Sequence, residues 1–503
     1  MNLVRAPSTR VATTNHSSGI GSPPWAHRCA SIALSIAVLV SAVACEPSGG
    51  GGGAGGEGGG AGGEGGGAGG EGGSGAGGEG GSGGAGGEGS GAGGEGGSGG
   101  AGGEGGAGGS STAPTLAWAR VYGGPGVDQG HVIASDAEGN FYVTGSFEGT
   151  VDFGAGPLTS GGQDDIFLLK LGPSGELLWS KRFGNDHDER GTRLATDGNG
   201  NIFLAGVYNA NIVTPGESDN VDFGGGPLPG DDPGEYGFLV KLDRDGNHVW
   251  SWDSFDFRVT SLAVDATGHV YTVTSSFQYG AYLARKDGAT GGQLWGTWIV
   301  NGGGWPFTTS LALDSAGNVV FASGTESGPG VCPCQQRFGV GKLTPAGGLL
   351  WRRSFSDGEP SPGAATYGAM AHVVAVNTAD EIFVAGHSLG NVDFGGGVLP
   401  AGDVLVKLDP SGEHVFSRPS HRIFFMVGDR DGNILVDDGH IVNLDPNGTK
   451  LWTLPFWVPL SRVSVSPLGT IAATGSTTTA LDFGDGPLPF AGALDISVVA
   501  LNP

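Results

Sequence analysis

A four-part unit that recurs along the chain limits its fold more than any other feature of the sequence. In the first full copy, between His131 and Trp179, four runs rich in aliphatic and aromatic residues are separated by Gly, Asp, Asn and Pro. Runs of this composition, bounded by such residues, are typical of short strands joined by turns. The unit therefore predicts a four-stranded sheet, and its recurrence predicts an all-β repeat protein.

The first strand of the unit occurs seven times, at residues 131–136, 193–197, 260–265, 309–314, 372–377, 424–429 and 461–466. Most copies are followed by a tight turn, such as the one at 137–140, in which Gly supplies the positive φ that the turn needs. Residues 115–503 provide about 56 residues per unit, near the size of a four-stranded propeller blade. We therefore predict a seven-bladed β-propeller of four-stranded blades.

The order of the strands predicts how the ring closes. The chain starts its repeats with a lone fourth strand at 116–122 and ends after a third strand at 496–501. The first segment can therefore complete the last sheet, which would remove the free sheet edges of an open repeat.

The N-terminal residues predict export. Three Arg and no acidic residue precede an uncharged apolar run at 30–44. This run is short for a membrane span, and it fits a signal peptide at 1–44. The run ends in Ala42-Val43-Ala44-Cys45, which resembles a bacterial lipobox with Ala42 in place of the usual Leu. The same residues also fit ordinary secretory cleavage. We expect a lipid anchor at Cys45 and an outer-membrane or cell-surface location, or secretion if Cys45 is not lipidated.

Residues 45–114 predict a tether. They consist of Gly, Ala, Ser and isolated Glu with almost no larger apolar side chain, so they cannot bury enough surface to offset the entropy of ordering. A Gly-rich coil of this length spans roughly 45 Å. A disordered spacer between a lipidated Cys45 and a folded body at 115–503 would hold that body away from the membrane.

The charge of the chain limits its partners. Its net charge is −26, and three Arg before residue 45 and eight Glu in 45–114 leave residues 115–503 with 21 basic and 42 acidic side chains. Such a body repels phosphate backbones, so we expect no nucleic-acid partner. We expect a soluble, monomeric propeller.

One segment of the repeat resembles a known family. Val151-Asp-Phe-Gly-Ala-Gly-Pro-Leu158 returns in close variants at 221–228, 392–399 and 481–488, although the units at about 250–295 and 416–452 lack it. Together with the strand patterns around it, this segment resembles the SBBP-type β-propeller repeats of bacterial surface and secreted proteins. The resemblance covers essentially all of 115–503. It implies architecture and exposure at the cell surface, and it brings no shared catalytic residue.

The recurring segment also carries the candidate metal site. Asp152, Asp222, Asp393 and Asp482 occupy one position of it, and a ring of carboxylates on one face could bind Ca²⁺. In the alternative interpretation, each Asp accepts backbone N–H bonds in its Gly-rich turn while the adjacent Phe pins the loop to its blade. We expect no other cofactor.

The remaining candidates are weaker. Cys332 and Cys334 are the only thiols of the mature body, and they either form a strained disulfide or stay reduced. His131 and His372 start equivalent strands and could face the central channel, but two His are too few for a tetrahedral metal site. Residues 286–295 resemble one tryptophan-docking repeat of quinoprotein propellers. A single copy implies no active quinoprotein.

These observations predict a non-enzymatic cell-surface lipoprotein that presents loop faces to a protein, glycan or matrix partner. No motif assigns a catalytic residue. One alternative is an extracytoplasmic, cation-dependent hydrolase or lyase, which would need carboxylates or histidines from several blades to meet in the channel. Another is an outer-membrane assembly scaffold, which would need a hydrophobic patch. The fold alone does not decide among them.

Overall fold

The computed structural model describes residues 112–210, 212–214, 217–218, 220–230, 233–255, 257–276, 279–301, 310–324, 338–355, 370–388, 390–437, 439–454, 462–483 and 486–502. All regular structure in these ranges is β. None of these residues belongs to a helix long and apolar enough to cross a membrane. The predicted signal peptide at 1–44, the tether up to residue 111, Cys45, Cys332 and Cys334 lie outside the described residues.

The first half of the propeller contains seventeen strands. In chain order they are β1 (Thr115–Tyr122), β2 (Gln129–Ser135), β3 (Phe141–Phe147), β4 (Thr150–Asp152), β5 (Pro157–Thr159), β6 (Asp165–Leu171), β7 (Leu177–Phe183), β8 (Glu189–Thr196), β9 (Ile202–Ala210), β10 (Ile212–Thr214), β11 (Glu217–Ser218), β12 (Gly234–Leu242), β13 (His248–Phe255), β14 (Arg258–Val264), β15 (Val270–Ser276), β16 (Gly280–Lys286) and β17 (Gln293–Asn301).

The second half contains the remaining seventeen. They are β18 (Ser310–Leu313), β19 (Val319–Ser323), β20 (Phe338–Leu343), β21 (Leu349–Phe355), β22 (Met370–Val376), β23 (Ile382–Ser388), β24 (Val392–Asp393), β25 (Val398–Leu399), β26 (Gly402–Leu408), β27 (His414–Pro419), β28 (Met426–Gly428), β29 (Ile434–Asp437), β30 (Ile441–Leu444), β31 (Lys450–Thr453), β32 (Arg462–Val465), β33 (Ile471–Thr477) and β34 (Asp495–Asn502).

The described strands form seven four-stranded antiparallel sheets, which are the blades. In the order inner to outer strand, the blades are blade 1 (β2, β3, β6, β7), blade 2 (β8, β9, β12, β13), blade 3 (β14 to β17), blade 4 (β18 to β21), blade 5 (β22, β23, β26, β27), blade 6 (β28 to β31) and blade 7 (β32, β33, β34, β1). Three two-stranded ribbons, β4–β5, β10–β11 and β24–β25, lie between second and third strands. The prediction of seven four-stranded blades is confirmed for the described chain.

The ring closes as the strand order predicts. The N-terminal β1 pairs antiparallel with the C-terminal β34 from Thr115 opposite Asn502 to Tyr122 opposite Ile496. The two ends of the folded body therefore share blade 7. The C-terminal strand β34 is paired on both sides, with β33 and with β1, so it leaves no unpaired edge.

The core lies between adjacent blades. The second and third strands of blade 1, β3 and β6, are buried along their whole length, because a blade of a propeller is covered on both faces. One cluster joins Ile166 and Leu168 of blade 1 to Leu204 and Phe238 of blade 2. Equivalent clusters follow around the ring, so each blade depends on its neighbours for burial.

Tight turns occupy one face of the ring, which we call the turn face. In blade 1, the Asp136 carboxylate accepts the backbone N–H groups of Glu138 and Asn140, and Gly139 takes a φ of 82°. In blade 5, Asp380 takes the equivalent place at a φ of 60° and is the one non-glycine residue with positive φ in the described chain. The turns that join third to fourth strands lie on the same face. Second strands end and third strands begin at the opposite face, which we call the loop face.

Four tryptophans of the fourth strands dock onto the turns of the next blade. Each ring covers a turn glycine, and each indole N–H donates to a turn carbonyl: Trp118 to Pro173, Trp250 to Gly288, Trp295 to Pro345 and Trp351 to Pro410. The docking that the sequence shows at 286–295 is therefore a feature of several blades and belongs to the architecture.

Candidate functional site

The recurring loop with its conserved-looking Asp is built as the structural interpretation predicts. Asp152 Oδ1 accepts the backbone N–H groups of Gly154 at 2.7 Å and Gly156 at 3.1 Å. The loops of blades 2 and 5 repeat this arrangement at Asp222 and Asp393, and Asp482 accepts the N–H of Gly486 in blade 7. Two short bonds to one oxygen hold the ribbon turn in place. These carboxylates therefore already have partners within their own loops.

The phenylalanine next to each Asp anchors the loop to the core. Phe153 is buried, and its ring centre lies 5.9 Å from that of Phe147 and 5.3 Å from that of Phe167. Phe223 and Phe394 are buried in the same way, with ring contacts to Phe238 and Phe338. The buried Phe therefore attaches the loop to the core in blades 1, 2 and 5.

The four Asp do not meet one another. Each belongs to the loop of a different blade, and within the described residues no three His, Cys, Asp or Glu side chains are grouped so that they could hold a metal ion. Binding of Ca²⁺ to these residues stays a prediction, which we test below.

The two histidines at the starts of inner strands lie in different surroundings. Both occupy a bulge, between Gly130 and Val132 in β2 and between Ala371 and Val373 in β22. His131 is held between blades, with Nδ1 3.0 Å from the carbonyl of Gly191 and Nε2 bonded to Gln129. His372 lines the central channel. The two do not form one site.

Two pairs of buried carboxyl groups, which the sequence did not single out, lie at inter-blade seams. Asp165 and Glu189 face the same small space, because a methyl group on Gly184 would lie 2.6 Å from Asp165 Oδ2 and 2.7 Å from Glu189 Oε2. Both side chains are fully buried. Burial raises the pKa of Glu189 to about 8, although the N–H of Asn185 opposes the shift and Asp165 adds to it.

The second pair lies one seam earlier, where the ring closes. Asp128 and Asp495 occupy the places of Glu189 and Asp165, and both are buried. Asp128 accepts the N–H groups of Gly124 and Glu148, and burial nevertheless raises its pKa to about 6. Because both pairs are buried at seams between blades, we expect the stability of the ring to depend on pH.

A cavity of about 740 Å³ runs along the axis of the ring. Inner strands from blades around the ring form its wall, and hydrogen bonds join neighbouring strands there. Thr196 Oγ1 donates to the carbonyl of Ser135 at 2.7 Å, and Ser135 Oγ lies 3.1 Å from Ser464 Oγ. The channel is therefore a fixed feature of the closed ring.

The ionisable side chains that line the described part of the channel are all basic. Among the described residues, Arg193, Arg422, Arg462 and His372 line the cavity and no Asp or Glu does. Burial lowers the pKa of Arg193 to about 10, with a further contribution from Arg462, and burial also lowers the pKa of Arg462. The channel is thus positively charged inside a strongly acidic protein.

The arginines are the residues that reading the sequence missed. Arg193 pairs with Ala205 and Arg462 with Thr474, which is one and the same position of the inner strand in blades 2 and 7. An alignment of the seven first strands would have shown this coincidence. Arg422 has no such signal, because it lies in the connection between β27 and β28.

The comparisons with known proteins add little beyond the fold. No family model matches the chain, so the resemblance to SBBP-type repeats stays a prediction. The chain is similar to an uncharacterized WD repeat-containing protein of Acanthamoeba polyphaga mimivirus, with 27% identity over 155 residues that make up 28% of this chain and 11% of that protein. The match therefore spans about a tenth of that relative.

Three solved structures show the level of structural likeness. BamB from Moraxella catarrhalis has 13% identity and a TM-score of 0.37, with 78% of this chain and 98% of that chain covered. The Pan2 WD40 domain of Neurospora crassa has 11% identity and a TM-score of 0.42 over 76% and 90% of the two chains. Quinohemoprotein alcohol dehydrogenase from Comamonas testosteroni has 13% identity and a TM-score of 0.40 over 77% and 76%. At these levels the likenesses carry no information on ligand or activity.

Proposed function

We propose that this chain is a non-enzymatic propeller of the cell surface that is anchored through a lipid on Cys45 and binds a protein, glycan or matrix partner with its loop face. The propeller is established for the described residues. The location and the partner are proposed from the sequence and from the face of the ring at which its terminal strands end.

The observation that carries the proposal is the position of the chain ends. Thr115 and Asn502 are opposite each other at the turn-face end of blade 7. Every connection on the turn face is a tight turn of the kind at 136–140 or 172–176. The connections at 211–233, 325–337, 356–369 and 478–494 join strand ends on the loop face. A chain that is anchored through its N-terminal segment therefore presents the long connections away from its attachment point.

The construction of the loop face supports a binding role. Loops such as that of Asp152 and Phe153 are held by bonds to their own backbone and by an aromatic anchor in the core. Variable loops on a rigid scaffold can bind a partner with little loss of conformational entropy.

The enzyme alternative receives no support from the channel. A cation-dependent hydrolase or lyase needs carboxylates or several histidines there. The described lining residues contain one His, three Arg and no carboxylate.

The assembly-scaffold alternative depends on a hydrophobic patch. Exposed apolar residues of the outer strands recur beside the outer-strand aromatic, as at Leu178, Val249, Leu294, Leu350 and Val415, and blades 3 and 4 each add a second one, Trp298 and Leu349. Because most of them repeat with the blades, they are distributed around the rim and favour no single docking patch.

Membrane attachment is tested by replacing Cys45 with Ser in the full chain. We expect the protein to move from the membrane fraction to the soluble fraction, because one covalent lipid provides the hydrophobic contact. Protein that stays in the membrane fraction after this substitution would contradict the anchor.

The binding face is tested with a matched pair of bulky modifications. In the Cys45→Ser chain, with the other cysteines replaced by Ser, Ala155→Cys on the loop face or Asn199→Cys on the turn face is coupled to a large polyethylene glycol. Both side chains are exposed. Binding of the fluorescently labelled chain to cell envelopes of the native host is then measured. We expect the modification at 155 to reduce this binding, and we expect the same of a modification at Val398→Cys on the loop face of blade 5. Modification at 199 should leave it unchanged, and equal loss from both faces would contradict the proposal.

A further inference from the structure

The basic lining of the central channel contrasts with the charge of the rest of the propeller. Residues 115–503 contain twice as many acidic as basic side chains, yet the described lining of the channel has three arginines and no carboxylate. If charged side chains were distributed at random, the channel would be expected to contain more acidic than basic residues. The arrangement therefore concentrates positive potential in a half-enclosed space.

Arg193 is held in the wall by neutral partners. Its Nε donates to the carbonyl of Thr260 in blade 3 at 2.7 Å, and its Nη1 donates to the carbonyl of Thr192 at 2.7 Å. No carboxylate of the described residues pairs with it. The guanidinium is thus positioned by two carbonyls, and no described carboxylate compensates its charge.

Arg462 adds a second charge beside the first. It occupies the same inner-strand position in blade 7 that Arg193 occupies in blade 2, and the two side chains are close enough for Arg462 to lower the pKa of Arg193. Like charges in a partly desolvated channel repel each other, and a bound anion would remove this repulsion.

Arg422 lies at the loop-face entrance of the channel. Its guanidinium carbon is 5.6 Å from the ring centre of Phe424, and it forms no ion pair with a described carboxylate. Phe424 is 57% exposed although it is a large apolar residue. The entrance therefore offers a cation and an aromatic face next to each other.

We propose that the central channel binds a small organic oxyanion, whose carboxylate or phosphate group is held by Arg193 and Arg462 and whose body contacts Arg422 and Phe424 at the entrance. Guanidinium groups hold such oxyanions through charge-assisted N–H bonds. The cavity of about 740 Å³ lies in the size range of pockets for small molecules. This site is independent of the partner proposed for the loop face.

The test measures binding of sodium phosphate and sodium citrate to the full chain by isothermal titration calorimetry at constant ionic strength. We expect saturable binding at one site per chain. Arg193→Gln and Arg462→Gln should each weaken it about tenfold or more, because each removes a charge-assisted contact. Arg422→Gln, at an exposed position outside the inner strands, should weaken citrate binding without affecting the fold.

Arg244→Gln is the matched control. Arg244 lies in a turn-face turn, is exposed and meets only Glu138 through its charged group, so the same loss of charge there should leave binding unchanged. Absence of saturable binding, or equal weakening by Arg244→Gln, would overturn the proposal. Arg193→Lys, which keeps the charge, checks that loss of binding does not follow from misfolding and should retain part of the affinity.

A hexaglutamate peptide distinguishes two kinds of oxyanion ligand, an acidic protein segment and a small organic anion. If it binds tenfold more tightly than citrate through the same arginines, the occupant is an acidic protein segment and the assignment to a small molecule is wrong. Weaker binding of the peptide than of citrate supports the small organic anion.

Discussion

The indole N–H of Trp118 donates to the backbone oxygen of Pro173 at 2.8 Å, across 55 residues of sequence. Trp118 lies in β1, which pairs with β34 in blade 7, and Pro173 lies in a turn of blade 1. The N-terminal strand therefore completes the last blade and also fastens it to the first. β1 therefore contributes to ring closure in two ways, through its pairing with β34 and through the bond from Trp118 to Pro173.

Replacing Trp118 with Ala should lower the free energy of unfolding by about 3–5 kcal/mol, because it removes a buried ring and its bond to Pro173. Urea unfolding of the purified chain measures the change. Trp298→Ala is the control, since Trp298 is 40% exposed, and it should cost clearly less. Equal losses would show that β1 contributes no more than an ordinary outer strand.

Ending the chain before Asp495 removes β34 and leaves β1 without its partner. We expect loss of a cooperative melting transition and formation of aggregates, because β33 then becomes an uncovered edge. Differential scanning calorimetry and size-exclusion chromatography report both effects. A truncated chain that melts cooperatively at the temperature of the full chain would disprove the role of closure.

Asp152→Ala should destabilise the chain by about 1 kcal/mol, through the loss of the two N–H bonds from Gly154 and Gly156. Because the acceptor oxygen is already occupied, we expect the melting temperature to be the same in EDTA and in excess Ca²⁺. A rise with Ca²⁺ that disappears in the variants of Asp152, Asp222, Asp393 and Asp482 would instead establish the metal site.

Stability should fall as pH rises toward and through about 8, because of Glu189. Its pKa is raised to about 8 in the folded state from its ordinary value of 4.5, so the folded state binds the proton more tightly than the unfolded state. This contribution is fully present below the ordinary glutamate pKa of 4.5 that applies to the unfolded chain, and it is lost as pH rises through the folded pKa, at a slope of at most about 1.4 kcal/mol per pH unit. Asp128 acts in the same direction with a pKa of about 6.

Glu189→Gln isolates this effect. The amide resembles the neutral acid, so melting temperatures measured from pH 5 to 9 should fall less steeply in the variant than in the unaltered chain. Parallel curves for the two proteins would show that Glu189 is ionised in the folded state.

Asp380→Ala should cost about 1–2 kcal/mol. Asp380 has a φ of 60°, and its carboxylate accepts the N–H and the hydroxyl of Ser315 from blade 4, each at 2.7 Å. Asp380→Gly loses the same bonds but removes the backbone strain, so it should cost less in urea unfolding. A larger loss for Gly than for Ala would contradict this explanation.

Local sequence determined the blades and their loops. Apolar runs and turn glycines act over a few residues, so the strands around Gly139 and the loop of Asp152 and Phe153 could be predicted without knowledge of the ring. The order of strands also predicted that β1 would join β34, because only one pairing leaves no open edge.

The tertiary structure decided which side chains meet. Arg193 and Arg462 are far apart in sequence, and Asp128 and Asp495 lie near opposite ends of the folded body, so their proximity exists only once seven blades have closed. Burial, which shifts the pKa of Glu189 and of Arg193, likewise depends on neighbouring blades. Strand patterns are set by local backbone preference, whereas the charge of a channel is a sum over blades that come together only in the folded ring.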